Sequence, residues 1–461
     1  MTTNSPVNET EENRDSFFDV CVICDEPEII GRVTSVCEEF NFTLKIWPSF
    51  EAFLEAGTGQ FKLVVASLND FNTSAAAAEL AQGIRHMVGE HGFVICCLSK
   101  TVDKDAAVFV KKSGANLILI REEIFTTSKL EFIALQTVRS TFLPVKASDV
   151  GANATLPFSL YHLLARRGKF VKFVPAGGAL TEKKFAKLKE IGEIYIHRND
   201  ADSFRDFIKL TSDKSAAALA RRCRTQYLAL HASFLSLILL ITDQSESGSF
   251  AEGQRLLKVC QSMCDELLGL LAEKGDAWEV INNSAIGEMG SIERGPVLAA
   301  YAGLLGLQME LSNLNEIMLA ALLADLGLIL MTPAIAKNLR KDQPTKLKGD
   351  DEQLFKNYPN LSLELCLSHK LPLGEKFRHI LVSTNERADG TGFPKGINQD
   401  KIVIGSQLIQ FCRDLDRRTV LKLGHSRPNR AEVMKQMLGE NSDSYQRYNK
   451  EFMQQLQKIT T

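Results

Sequence analysis

The sequence predicts a multidomain chain in three folded parts: an α/β domain, a small α+β module and an all-α helical bundle. Three observations predict it. The chain has 461 residues, and at about 150 residues per domain that length carries roughly three domains. Residues 16–142 alternate short apolar strands with amphipathic helices. From Lys214 onward the apolar periodicity is almost wholly helical.

Composition narrows the function classes. Lys and Arg total 54 and Asp and Glu 56, a formal charge of -2. That balance argues against a nucleic-acid polymer as partner and against a polybasic membrane binder. The longest apolar stretch, Tyr227 to Thr242, is broken by His231, Ser233 and Ser236 and falls short of the roughly 20 residues a spanning helix needs, so it reads as a buried helix and not as a membrane insertion. Residues 1–15 are polar and acidic, lack the apolar core of a secretory signal, and read as a disordered tail. The expected location is therefore the cytoplasm. The 10 cysteines lie in apolar runs and read as reduced thiols. Cys21 and Cys24 form a CxxC inside a strand, where an i, i+3 pair points to opposite faces. Cys260 and Cys264 are helical core. The 8 histidines look sufficient for a metal site until they are placed.

In the first part the strand candidates are FDVCVIC, FTLKIW, KLVVAS, GFVICCLS and NLILI, with helices such as EIIGRVTSVCEEF between them. Alternating βα units imply a parallel sheet covered on both faces. The segment resembles the response-regulator receiver family, over residues 16–142, and the resemblance implies a flavodoxin-like fold. The family carries an acidic pair after its first strand, a phospho-accepting aspartate after the third, a Ser/Thr after the fourth and a lysine after the fifth. In CDEP the pair is Cys24 and Asp25. Ser67 stands at the acceptor, Ser99 at the hydroxyl and Arg121 near the lysine. A serine forms no acyl phosphate, Asp70 lies beyond the strand end, and one acid holds Mg²⁺ poorly. The expectation is a receiver-like interaction domain without a phospho-acceptor.

Residues 143–153 are small and polar and read as a linker. Residues 154–213 read as strand, turn, strand, turn, helix, strand, with Gly177 and Gly178 at a turn. This α+β module is similar to one that precedes HD-GYP phosphodiesterase domains. Its Arg166–Arg167–Gly168–Lys169 run reads as a solvated hairpin tip before a phosphate contact.

The third part holds long periodic runs, among them SAAALARRCRTQYLALHASFLSLILLIT and PVLAAYAGLLGLQMEL, which predict five or more packed helices. Within it, EIMLAALLADLGLILMTP and ERADGTGFPKG resemble the HD-GYP family over residues 214–425. This is a branch of the HD superfamily of metal-dependent phosphohydrolases, and the resemblance implies an HD-type bundle and an ancestry in cyclic-di-GMP hydrolysis. Such chemistry needs two or three metal ions held by imidazoles and carboxylates, which activate a bridging water. The positions here are degenerate. The HD dipeptide is Ala324–Asp325, and the lysine after it is Leu328. The histidine of the preceding helix falls near Arg294, that of the His-Pro pair is Tyr358, and the paired histidines before the glutamate are Thr384 and Asn385. The aspartate of the following helix is Arg413, with Asp416 matching the second one there. A guanidinium cannot ligate a metal and carries the charge the metal would have carried. The expectation is no catalytic centre, no metal and no cofactor, with Arg294, Arg413 or both paired to Asp325, as a salt bridge or an anion site.

The GYP-like loop keeps Glu386, Arg387, Asp389, Gly390, Gly392, Phe393 and Pro394, with Phe393 in place of the tyrosine. In the family this loop borders the site and contacts partner proteins, including diguanylate cyclases. His231 reads as hydrogen-bonded core, and His86, His91, His369, His379 and His425 stand at no metal position. Residues 426–461 form a polar, helix-prone extension that either caps the bundle or pairs two chains into a homodimer. The expected function is a catalytically inactive signalling scaffold or regulator that binds other signalling proteins. Its rivals are a divergent one-metal phosphodiesterase using Asp325, Glu386 and Asp389, and a non-hydrolysing sensor of cyclic di-GMP.

Overall fold

The computed structural model describes residues 17–56, 60–68, 74–89, 92–98, 110–139, 141–164, 169–191, 193–211, 215–243, 250–273, 278, 280–281, 292–341, 344–398, 401–419, 428–440, 442 and 445–460. The expectations for residues 1–15, Asp70, His91, Ser99, Arg166 to Gly168 and His425 lie outside these residues. The chain divides into two compact units. One holds residues 1–142, 161–173 and 242–248, the other 143–160, 174–241 and 249–461.

The first unit is built on five parallel strands, β1 (Phe17–Ile23), β2 (Leu44–Trp47), β3 (Gln60–Ser67), β4 (Phe93–Leu98) and β5 (Leu117–Ile120), in the order 2-1-3-4-5. These are the five apolar runs of the sequence. Val20 aligns with Leu44 on one side and Leu63 on the other. Strands covered on both faces need continuous apolar runs, and Leu63 to Ala66 and Val94 to Cys97 are all fully buried. The Pro27–Phe40 helix starts with proline at its first turn and ends at Asn41, whose left-handed backbone (φ 55°) returns its N–H to Cys37 O.

The second unit opens with β6 (Phe142–Lys146) and a 3₁₀ turn, Ala147–Asp149. The linker expected over residues 143–153 is thus partly a strand. Leu143 and Val145 alternate into the core, a signal masked by Pro144 between them. Asp149 is buried and anchored by Arg224, with Arg221 at 3.8 Å. β6 pairs with the strand Glu193–His197, and the short strand Ala154–Thr155 pairs with Ala179–Leu180.

Beyond it the unit is helical. Gly295–Gln308 is buried around nearly its whole circumference and packs against Leu314–Leu323, Ile404–Thr419 and Phe250–Glu273. It is the axis of the bundle. The Ala216–Thr242 helix is long and apolar enough to cross a membrane, but 83% of its most apolar window is buried in protein. The C-terminal segment folds onto the bundle, Tyr448 and Phe452 meeting Phe411 at ring separations of 5.7 and 6.2 Å. His231, expected to be hydrogen-bonded core, is wholly buried with neither ring nitrogen bonded among the described residues. Burial, with the Arg198 and Arg294 charges nearby, holds it neutral.

Candidate functional site

Asp325 stands where the Leu314–Leu323 helix tightens into a 3₁₀ turn, Leu326–Leu330. The turn is locked onto the Tyr358–Ser368 helix. Gly327 donates its N–H to Ser362 Oγ at 2.7 Å, and a Cβ at Gly327 would lie 2.2 Å from Tyr358 O. Only glycine admits so close an approach. That docking brings Tyr358 to Asp325.

A closed hydrogen-bond ring results. Arg413 donates from Nη2 to Asp325 Oδ1 at 2.7 Å and from Nε to Oδ2 at 3.4 Å. Its Nη1 reaches Thr384 O at 3.2 Å and Asn385 Oδ1 at 3.1 Å. The second contact orients the carboxamide, so Asn385 Nδ2 donates to Tyr358 Oη at 2.8 Å. Tyr358 then donates to Asp325 Oδ1 at 3.2 Å. Burial works against the Arg413 charge, but the Asp325 carboxylate outweighs it and holds the guanidinium above its ordinary pKa. Burial raises the Tyr358 phenol, keeping it a protonated donor.

Arg294 does not join this ring. It makes a two-pronged pair with Asp416, Nε to Oδ2 at 2.9 Å and Nη2 to Oδ1, with both side chains under 10% exposed. The sequence reading paired one or both arginines with Asp325; Arg413 takes that partner, and Arg294 takes Asp416 instead. Ile404–Thr419 presents Arg413 and Asp416 three residues apart, so they lie on one helical face, and each takes a different partner. Ala324, another of the sequence-predicted site positions, is fully buried, and its carbonyl accepts from Ser362 at 3.1 Å. Leu328 packs in an apolar cluster with Met331, Ile335, Tyr358 and Phe393.

The GYP-like loop is held from inside by Glu386, which is 1% exposed. Its two carboxylate oxygens accept the N–H groups of Lys395 at 2.7 Å and Ile397 at 3.0 Å. Gly392 is required: a Cβ would meet the Glu386 and Arg387 backbone within 2.6 Å. Asp389 caps its own turn, accepting from Thr391 N and Oγ1 at 2.9 and 2.6 Å. Burial opposes the Asp389 charge, but those hydrogen bonds and the Arg387 and Arg447 charges together carry its pKa below the usual value. Phe393 packs on Phe355 and Tyr358, at 5.4 and 6.0 Å between ring centres, and precedes Pro394 through a cis bond. The loop and the Arg413 ring therefore share Tyr358.

The receiver-like positions converge differently from expectation. Asp25 is exposed, and the acid that gathers the site is Glu26, one residue on. Glu26 accepts from Ser67 Oγ at 2.7 Å and Arg121 Nε at 3.0 Å, and Arg121 also reaches Glu28 at 2.5 Å. Cys24 is buried, its sulfur accepting the Glu26 N–H at 3.2 Å. Sequence reasoning missed Glu26 because it aligned the pair by strand end; the helix starting at Pro27 turns Glu26 back over β3. Lysine's place is taken by Arg121, whose charge is already matched by two glutamates.

Residues 279–448, which hold every residue of the Arg413 and Arg294 pairs, match the family described as HD domain. Among solved structures the chain is similar to Bd1817, an HDG"Y"P protein from Bdellovibrio bacteriovorus, at 16% sequence identity and a TM-score of 0.46, over 69% of this chain and 99% of that one. No curated protein sequence matches the chain.

A metal cluster of the kind HD-type phosphohydrolysis uses does not fit these residues. Such a site needs several imidazole and carboxylate donors aimed at one point. Here Asp325 is engaged by a guanidinium and a phenol, Asp416 by a second guanidinium and Glu386 by backbone amides. Among the described residues no three His, Cys, Asp or Glu side chains form a group able to hold a metal ion.

Proposed function

We propose that this chain is a catalytically inactive relative of the cyclic-di-GMP phosphodiesterases that works in the cytoplasm as a signalling scaffold or regulator, through protein–protein contacts. The observation that carries the reading is Arg413 closed on Asp325 at 2.7 Å, a fixed cation where hydrolysis would need a metal. The rival one-metal enzyme would need Asp325, Glu386 and Asp389 on one ion. Glu386 and Asp389 are instead bound to their own loop. The preserved GYP-like loop supports a docking role, with diguanylate cyclases among the partners the family resemblance suggests. In the same reading the first unit is a receiver-like interaction domain that is not phosphorylated, because Ser67 offers no carboxylate to a phosphodonor.

Metal analysis of purified protein, run with a cyclic-di-GMP hydrolysis assay, tests this. The expected result is neither stoichiometric Mn or Fe nor linear product. Bound metal together with linear dinucleotide overturns it. Calorimetry with cyclic di-GMP separates the scaffold from a non-hydrolysing sensor: saturable binding favours the sensor.

A further inference from the structure

Beside the Arg413–Asp325 pair lies a cavity of about 200 Å³. Its charges do not cancel. Four arginines and three aspartates line it: Arg294, Arg387, Arg413 and Arg417 against Asp325, Asp414 and Asp416. Two arginines are matched by Asp325 and Asp416. Asp414 is engaged elsewhere, accepting from Tyr448 Oη at 2.8 Å with Arg447 at 3.8 Å. Arg387 and Arg417 reach no carboxylate within salt-bridge distance among the described residues, so two positive charges face the space. An aromatic wall of Phe355, Tyr358 and Phe393 stands on another side.

Gln410 also lines the cavity and is 7% exposed. Size sets the rest. A dry cavity of about 150 Å³ holds one benzene ring, so this space has room for a ring and one acid group.

We infer that the cavity beside the Arg413–Asp325 pair is a binding site for a small aromatic acid with one ring and one anionic group at Arg387 and Arg417. The ring lies against Phe355 and Phe393. Phe393 belongs to the GYP-like loop, so occupancy ties that loop to the Ile404–Thr419 helix, which carries Gln410 and Arg417. The inference goes beyond the proposed scaffold role and stands whether or not that role does.

Calorimetry on the full chain tests it with 4-hydroxybenzoate as the probe. Phenyl phosphate, 4-hydroxybenzyl alcohol and inorganic phosphate are the comparison ligands. The expected result is saturable binding of 4-hydroxybenzoate at least about tenfold tighter than the neutral alcohol or phosphate alone. Tighter binding of phenyl phosphate keeps the site and assigns its anion as a phosphoester. The exposed Arg417→Ala and the half-buried Arg387→Ala should each weaken binding about tenfold with unchanged circular dichroism. Failure of both aromatic acids to bind at up to about 10 mM overturns the inference, as does affinity unaltered in the double arginine variant.

Discussion

Arg413 and Asp325 meet across 88 residues of sequence, Nη2 to Oδ1 at 2.7 Å, at a point where two helix ends and the GYP-like loop converge. Neither charge is free to act alone. Asp325 also accepts from Tyr358, and Arg413 also holds Asn385, so the pair fixes the relative positions of four chain segments. A pair this enclosed specifies geometry more than it adds stability, since desolvation offsets most of the attraction.

Removing one partner should therefore be much worse than removing both. Arg413→Met should cost about 3 kcal/mol or more, because Asp325 is left charged in a site built for a cation. The Arg413→Met, Asp325→Leu double variant should recover most of that loss. Urea unfolding of the four proteins in the cycle measures the coupling, and additive losses would rule out a coupled pair.

The Arg294–Asp416 pair should behave in the same way but independently. Arg294→Leu is expected to destabilise by about 3–5 kcal/mol, since both groups are buried and the carboxylate would lose both of its prongs. Combined with Arg413→Met, the two losses should exceed either alone. A single unfolding loss shared by both variants would mean that the two pairs act as one network.

His231 predicts an acid limb. Burial, aided by the Arg198 and Arg294 charges, pushes its pKa down to about 3, against about 6.5 in an unfolded chain. The folded value is the lower one, so the unfolded chain binds the proton first. The stabilising contribution is complete above about pH 6.5 and is lost as pH falls toward 3, at no more than about 1.4 kcal/mol per pH unit. His231→Phe should flatten the slope of stability between those limits. An identical slope in variant and parent, read by thermal melts across the range, would contradict this.

Glu386→Gln should loosen the GYP-like loop without unfolding the bundle. A neutral carboxamide offers one acceptor oxygen where the carboxylate serves the Lys395 and Ile397 amides with two. The expected loss is about 1–3 kcal/mol, confined to the loop. Amide hydrogen exchange should rise at Lys395 and Ile397 and stay unchanged along Gly295–Gln308.

The sheet was legible because strands buried on both faces must be continuously apolar, and β1 to β5 are. That an enclosed arginine takes a carboxylate was legible as well, because a buried charge needs a partner. The choice of partner was not. Whether Arg294 meets Asp325 or Asp416 depends on how Ile404–Thr419 is rotated in the bundle, and its own periodicity admits either. Strand β6 was hidden because Pro144 interrupts the alternation of Leu143 and Val145. Glu26 was hidden because its role comes from the path of the helix after it, which carries it away from the strand that precedes it. Gln410 gave no sign at all: a polar residue on an amphipathic helix looks solvated, yet it is 7% exposed.

All ten cysteines are buried and unpaired in disulfides. Burial also pushes the Cys96 and Cys260 thiols up to about 12 each, so little thiolate forms there at neutral pH. Five of them, Cys21, Cys24, Cys37, Cys96 and Cys97, belong to the first unit, and five, Cys223, Cys260, Cys264, Cys366 and Cys412, to the second. The native chain should resist alkylation, and each thiol should become reactive only when its own unit opens. The molecule thus carries a built-in reporter of breathing. Mass spectrometry of timed alkylation would show which unit yields first, and whether filling the cavity beside Arg413 slows the labelling of Cys412 one residue away.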